Sequence, residues 1–133
     1  MRAWFCLSPL LLAACAGSYT PEPLTPKQTA KLDKALEGKV AGEKISCINR
    51  SQQTNLTVIS GNVLLYRVSK RLIYKNDLIG SCNGLNYGDT MIVRSFGSQM
   101  CRGDITTSAN LMSGITTGSC ALGDFTPYRS PEK

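Results

Sequence analysis

Carboxylate pairs and a Ser/Lys dyad are the catalytic groups that this chain could use, because the sequence contains no histidine. Without imidazole, Ser-His-Asp and Cys-His triads cannot form, nor can metal sites built on histidine. Three aspartates each follow a glycine: Asp89, Asp104 and Asp124. Two of them could act as general acid and base, and their oxygens would suit calcium, although no loop has EF-hand spacing. Gly-Asp is typical of turns, so we expect no enzyme, no metal and no cofactor.

The first fifteen residues predict export and a lipid anchor. A positive start precedes an apolar run over 3–12, which is shorter than the ~20 residues that span a bilayer and is typical of a secretory signal. Leu-Ala-Ala-Cys at 12–15 resembles a bacterial lipobox, in which the cysteine thiol takes a diacylglyceryl group. An ordinary signal cut after residue 14, or the start of a buried helix, are the alternatives. We expect a signal peptide over 1–14 and a lipidated Cys15, and Ala16 favours sorting to the outer membrane.

Four cysteines remain once Cys6 in the leader and Cys15 are set aside: Cys47, Cys82, Cys101 and Cys120. An even number in a small exported domain predicts two disulfides. Zinc is the alternative, but no Cys-x-x-Cys pair is present. Spacing does not select among the three possible pairings. We expect the nested one, Cys82 with Cys101 and Cys47 with Cys120.

A proline-rich segment and one helix precede the rest of the domain. Residues 15–25 predict an extended tether that would lift the domain about 30 Å from the membrane. The helix begins at Pro26, with Thr25 as its cap and Gln28 completing a capping box, and Gly38 ends it. Its narrow apolar stripe favours packing on its own domain.

From residue 44 onward the pattern is that of strands. The β-branched or alternating segments are 44–48, 55–59, 62–68, 71–75, 89–96 and 104–109. Turn residues separate them, and 68–72 has the pattern of a tight hairpin. We expect one domain over 26–133, mainly β, folded as a small antiparallel barrel or sandwich with the helix over one end.

Positive charge predicts the candidate binding residues. After loss of Arg2 with the leader, lysines and arginines outnumber the nine acidic residues by five. Four basic residues lie in or beside the expected hairpin: Arg67, Lys70, Arg71 and Lys75. Such a surplus favours contact with anionic surfaces, and a merely solvated face is the alternative. The loop between Cys82 and Cys101 is a second candidate region.

Two further patterns have ordinary interpretations. The Arg-Gly-Asp tripeptide at 102–104 occurs in adhesion ligands, but here it follows a cysteine and predicts a turn. The aromatic residues could line a pocket, yet a domain of this size needs them in its core. They are Tyr66, Tyr74, Tyr87, Phe96, Phe125 and Tyr128.

Segments 76–85, 96–105 and 118–129 resemble a family of short proteobacterial secreted proteins and lipoproteins of unknown function. In that family a cysteine precedes Gly-Asp-Ile, and Cys-x-Leu-Gly-x-Phe-x-Pro closes the domain. The resemblance covers most of the chain from about Leu32. It implies a disulfide-bonded secreted domain and no particular ligand or reaction.

These observations predict a lipid-anchored, non-enzymatic protein of the bacterial cell envelope, facing the periplasm from the outer membrane. Its expected partners are the membrane, through Cys15, and an anionic envelope surface or envelope protein; export argues against nucleic acid. The alternative is an inhibitor of an envelope-targeting hydrolase such as lysozyme, although a basic inhibitor suits a basic lysozyme poorly. A carboxylate-dependent enzyme is the third hypothesis.

Overall fold

The computed structural model describes Gly17, residues 19–52 and residues 55–132. The expected signal peptide and Cys15 lie outside these residues. One helix, α1 (Pro26–Leu36), precedes eleven strands: β1 (Val40–Ala41), β2 (Cys47–Asn49), β3 (Asn55–Ser60), β4 (Val63–Arg67), β5 (Leu72–Asp77), β6 (Ile79–Ser81), β7 (Thr90–Arg94), β8 (Gln99–Cys101), β9 (Ile105–Asn110), β10 (Ile115–Ala121) and β11 (Phe125–Arg129). Two 3₁₀ helices cover Arg50–Gln52 and Asn83–Tyr87.

The expected capping box starts α1. The Thr25 hydroxyl accepts a hydrogen bond from the Gln28 amide at 3.3 Å, and the Gln28 side chain accepts one from the Thr25 amide at 2.9 Å. Gly38, just past the helix, has φ +70°, a conformation that glycine adopts without strain. Leu32, with its neighbours on the same stripe, packs against apolar residues of the adjacent sheet. The helix therefore packs on its own domain, as expected.

The strands form two main antiparallel sheets. The five-stranded sheet has the order β1-β11-β5-β4-β3, the four-stranded sheet has the order β6-β10-β9-β7, and β2 pairs with β8 separately. The expected mainly β, antiparallel fold with one helix and two disulfides is confirmed. Of the two architectures that we considered, the sandwich is correct, and the strands in the described part of the chain close no barrel.

The five-stranded sheet is the middle layer of the molecule. Along β4, Leu64 and Tyr66 belong to the apolar cluster shared with the second sheet, whereas Val63 and Leu65 pack toward α1. Alternation along a strand sends successive side chains to opposite faces, so β4 is buried on both. The ring centroids of Tyr66 and Phe125 lie 5.8 Å apart. Tyr66, Tyr74 and Phe125 are thus core residues.

The expected nested pairing of the cysteines is wrong. Cys47 is bonded to Cys101, and Cys82 to Cys120. Antiparallel pairing of β2 with β8 places Cys47 directly opposite Cys101, with their Cα atoms 4.0 Å apart. Cys82 follows β6, and the partner strand β10 carries Cys120 opposite Gly80. Strand pairing brings these cysteines together, and spacing along the chain does not reveal it.

The N-terminal segment contacts the domain from Tyr19 onward, so residues 19–25 do not extend away from the domain as the expected tether would. The Tyr19 hydroxyl donates a hydrogen bond to the Gly80 carbonyl at 2.8 Å. The Asn62 side chain donates to the Glu22 carbonyl at 3.1 Å, and Leu24 packs into the apolar cluster beneath α1.

Candidate functional site

The hairpin between β4 and β5 is tight, as expected. The backbone amides of Val68 and Ser69 both donate to the Leu72 carbonyl, at 3.1 and 3.2 Å. The Ser69 hydroxyl accepts from the amides of Arg71 and Leu72, both at 3.2 Å. These bonds fix the turn so that Lys70 and Arg71 project from its tip into solvent.

Four exposed cations lie at the end of the five-stranded sheet that carries this turn: Arg67, Lys70, Arg71 and Arg129. We call this group the basic end. Arg129 joins it because β11 pairs with β5, placing Arg129 opposite Leu72, while the Ser130 amide donates to the Arg71 carbonyl at 2.9 Å. In the described part of the chain the ion pairs join other residues, so the basic end has no carboxylate partner. Sequence reasoning missed Arg129, because its position depends on strand order.

Lys75, the fourth basic residue expected at the site, lies apart from the basic end. Its ammonium group contacts both carboxylate oxygens of Asp77, at 2.7 and 2.9 Å, and its side chain is only 20% exposed. Strand register places Lys75 in the middle of the sheet, opposite Leu65 on one side and Thr126 on the other. Its charge is therefore balanced locally.

The basic end lies at one end of β5, and the N-terminal segment contacts the domain near the other end. Leu72 adjoins the basic turn, and Asp77 lies about 17 Å further along the strand at ~3.3 Å per residue. β6 begins two residues after Asp77, and its Gly80 is the residue that Tyr19 contacts. The structure thus separates the basic end from the point where the N-terminal segment is fixed.

Asp104 and Asp124 hold turns near the Cys47–Cys101 disulfide. Asp104 accepts a hydrogen bond from the Cys101 amide at 2.9 Å, and Asp124 is paired with Arg102 at 2.9 Å. Gly103, which lies between Arg102 and Asp104 in the Arg-Gly-Asp tripeptide, has φ +91°. The Arg-Gly-Asp sequence is accordingly part of a turn whose charged groups are engaged within the domain.

Asp89, the third aspartate after a glycine, has a different set of contacts. It accepts hydrogen bonds from the Asn110 side chain at 3.2 Å and from the Thr117 hydroxyl at 2.6 Å, and Thr117 also contacts the Ser108 hydroxyl at 3.1 Å. This network joins β9 and β10 to Asp89, which lies between the 3₁₀ helix Asn83–Tyr87 and β7. Among the described residues, no group of three carboxylates or thiols is placed to hold a metal ion.

A groove lies between the start of α1 and the 3₁₀ helix Asn83–Tyr87. It consists of two adjoining depressions of about 190 and 550 Å³ that share Thr25, Gln28 and Asn86 as lining residues. The Asn86 side-chain oxygen accepts from the Gly61 amide at 2.9 Å and from the Gln28 side chain at 3.4 Å. The side-chain amides of Gln28 and Asn86 are thus hydrogen-bonded to each other and to the backbone, and they join α1 to the 3₁₀ helix Asn83–Tyr87.

The second candidate region, between Cys82 and Cys101, carries the two most exposed aromatic residues of the described chain. Tyr87 is 87% exposed and Phe96 is 97% exposed, so the expectation that these two residues lie in the core is wrong. Tyr87 precedes β7 and Phe96 follows it, so the two side chains lie beyond opposite ends of this strand and do not form one surface.

Comparison of the chain with protein-family models, with curated proteins and with solved structures gives no match. None of the helices in the described ranges is long and apolar enough to cross a bilayer. The basic end is therefore the candidate site on its own geometry: four exposed cations, fixed by a tight turn and by strand pairing, without an acidic partner.

Proposed function

We propose that this protein is a lipid-anchored, non-enzymatic module of the bacterial cell envelope whose basic end binds an acidic face of an envelope protein. The observation that carries the proposal is the group of exposed cations Arg67, Lys70, Arg71 and Arg129, which has no carboxylate partner in the described residues. Clustered charge of one sign steers an oppositely charged partner and restricts the orientation in which it docks.

The proposed anchor lies far from this site. Acylation at Cys15 would place the lipid four residues before Tyr19, a reach of at most about 14 Å in extended chain. Tyr19 is fixed on Gly80 in the four-stranded sheet, whereas the basic end belongs to the five-stranded sheet, about 17 Å further along β5. At physiological ionic strength charges are screened over ~8 Å, so lipid head groups at the anchor act on the basic end only weakly. This favours a protein partner over the anchoring membrane.

A non-enzymatic role is supported by the chemistry of the available groups. The chain has no histidine. Asp89 and Asp104 accept hydrogen bonds that hold local structure, and Asp124 is paired with Arg102.

Binding to a partner needs several cations acting together. An individual exposed ion pair contributes only about 0–1 kcal/mol, so a specific complex requires several of them.

The test is chemical crosslinking in living cells of the full chain with Lys70→Gln and Arg71→Gln combined. The matched control combines Lys27→Gln with Lys44→Gln, which removes the same charge from two exposed residues outside the basic end. We expect the unchanged protein and the control to capture the same acidic envelope protein, and the basic-end variant to capture about tenfold less.

Equal capture by the two variants would contradict the proposal, because non-specific attraction responds to net charge and not to its position. Capture of lipid alone, lost in the basic-end variant, would show that the basic end binds a membrane instead.

A further inference from the structure

Three of the four edges of the two main sheets are short or occupied by this chain's own groups, and the strands of the separate β2–β8 pair have only three residues each. β1 has only two residues. At β6 the Tyr19 hydroxyl occupies the Gly80 carbonyl, and at β3 the Lys31 ammonium group donates to the Val58 carbonyl at 2.7 Å. Unpaired edges invite another strand, and natural proteins commonly block them.

The fourth edge, β7, is different. It is a five-residue strand that pairs with β9 on one side, and within the described ranges no hydrogen bond other than those of this ladder involves Thr90–Arg94. It contains no proline, glycine or lysine, and Thr90, Ile92 and Val93 favour strand conformation. The Ile92 side chain is 42% exposed. β7 can therefore accept a further strand.

We propose that β7 pairs antiparallel with β7 of a second copy of this chain, so that the protein forms a twofold dimer. The sequence of β7 is self-complementary in the register centred on Ile92. All five residues then pair: Ile92 meets its own equivalent, Met91 meets Val93, and Thr90 meets Arg94. No like charges stand opposite one another, and each cross-strand pair is of a kind that sheets accept.

The dimer joins two four-stranded sheets into one continuous sheet. Register with β9 places Thr107 beside Ile92 and Ile105 beside Arg94, so Ile92 and Ile105, both partly exposed, lie on the same outer face. Across the twofold axis Ile92 and Ile105 of one copy lie next to the same two residues of the other copy. The contact removes part of these apolar side chains from water.

The arrangement also suits two anchored chains. The twofold axis of two antiparallel edge strands stands perpendicular to their shared sheet, and β6, on which Tyr19 is fixed, is the opposite edge. The two Tyr19 contacts therefore lie at the same height along the axis. Both N-terminal segments can reach one membrane when the axis is perpendicular to it.

The experiment uses two differently tagged full-length chains expressed in the same cells, with one tag isolated and the other measured. Ile92→Lys and Ile92→Asp change the residue on the axis, whose exposure allows a charged side chain without disturbing the core. We expect two unchanged chains to copurify, two Lys variants or two Asp variants to copurify about tenfold less, and a Lys variant with an Asp variant to recover. Recovery of the mixed pair also shows that each variant folds.

Ser119→Lys is the matched control. It adds the same charge to an exposed residue on the same face, two strands away from β7, and should leave copurification unchanged. Copurification of two Lys variants at the level of unchanged chains would overturn the proposal, since sharing of a detergent micelle does not depend on residue 92. The proposal would also be overturned if unchanged chains failed to copurify. The same holds if Ile92→Lys abolished the capture of a foreign protein and left the capture of the second copy unchanged.

Discussion

The side chain of Asn76 and the backbone of Gly123 exchange two hydrogen bonds, as two paired strands would. The Asn76 amide nitrogen donates to the Gly123 carbonyl at 2.8 Å, and the Gly123 amide donates to the Asn76 side-chain oxygen at 3.0 Å. Asn76 is fully buried in β5, and Gly123 lies between β10 and β11. The pair therefore ties the chain leaving the second sheet to the middle layer.

Asn76→Ala should lower the free energy of unfolding by about 2–4 kcal/mol, because both polar groups of Gly123 lose their partner in the interior. Urea denaturation measures the change. Asn55→Ala, at an exposed position of the same sheet, is the control and should cost less than about 0.5 kcal/mol. A loss under about 1 kcal/mol at Asn76 would show that water replaces the side chain.

Tyr66→Phe should stabilise the domain by about 1 kcal/mol at neutral pH. The Tyr66 hydroxyl is buried and has no hydrogen-bond partner in the described part of the chain, and an unsatisfied buried polar group is costly. Tyr87→Phe, at an exposed tyrosine, should change little. Destabilisation by Tyr66→Phe, measured in the same urea titration, would mean that the hydroxyl has a partner such as bound water.

The same variant should change how stability depends on alkaline pH. Burial raises the pKa of the Tyr66 hydroxyl above its usual value of 10.0. Above about pH 10 the unfolded chain therefore releases the Tyr66 proton while the folded chain retains it. The free energy of unfolding then falls by about 1.4 kcal/mol per pH unit as the pH rises further. Tyr66→Phe should remove that part of the slope. Parallel pH profiles for the two proteins would contradict the assignment.

Each disulfide should contribute about 3–4 kcal/mol. They link residues 54 and 38 positions apart, for which loss of entropy in the unfolded chain gives similar values. Paired alanine substitutions at Cys47 and Cys101, or at Cys82 and Cys120, test this by denaturation. Mass mapping of unreduced peptides tests the connectivity itself, and a peptide joining Cys82 to Cys101 would contradict it.

Thr25→Ala should cost about 1 kcal/mol, because the hydroxyl that accepts from the Gln28 amide is lost, whereas Thr25→Ser should be nearly neutral. Thr29→Ala is the control inside the same helix and should be neutral or slightly stabilising, since alanine is the better helix former. Thermal unfolding of the three variants compares them directly. An equal effect of Ala at positions 25 and 29 would exclude a capping role.

Local patterns in the sequence predict α1, its cap and six of the strands, because propensity and turn chemistry act over a few residues. β10 and β11 escape such a prediction. A register shift between Thr116 and Gly118 breaks the alternation of β10. Pro127, a residue type that argues against a strand within a sheet, nevertheless lies inside β11, where its carbonyl accepts from the Gly42 amide at 2.7 Å. The position of Arg129 in the basic end, and the disulfide pairing, follow from strand order, which no local pattern contains.

The central claim, that the basic end lies away from the membrane holding Cys15, is tested most directly with tryptophan reporters. The only tryptophan of the chain is Trp4, which the proposed cleavage after residue 14 would remove. Lys70→Trp marks the basic end, and Ile79→Trp marks the strand contacted by Tyr19; both side chains they replace are exposed. The lipidated protein is placed in vesicles that contain brominated lipids, which quench nearby tryptophan, and its mass reports whether Cys15 is acylated. We expect quenching at position 79 and none at position 70. Quenching at position 70 in the acylated protein would contradict the claim and make the membrane the partner of the basic end.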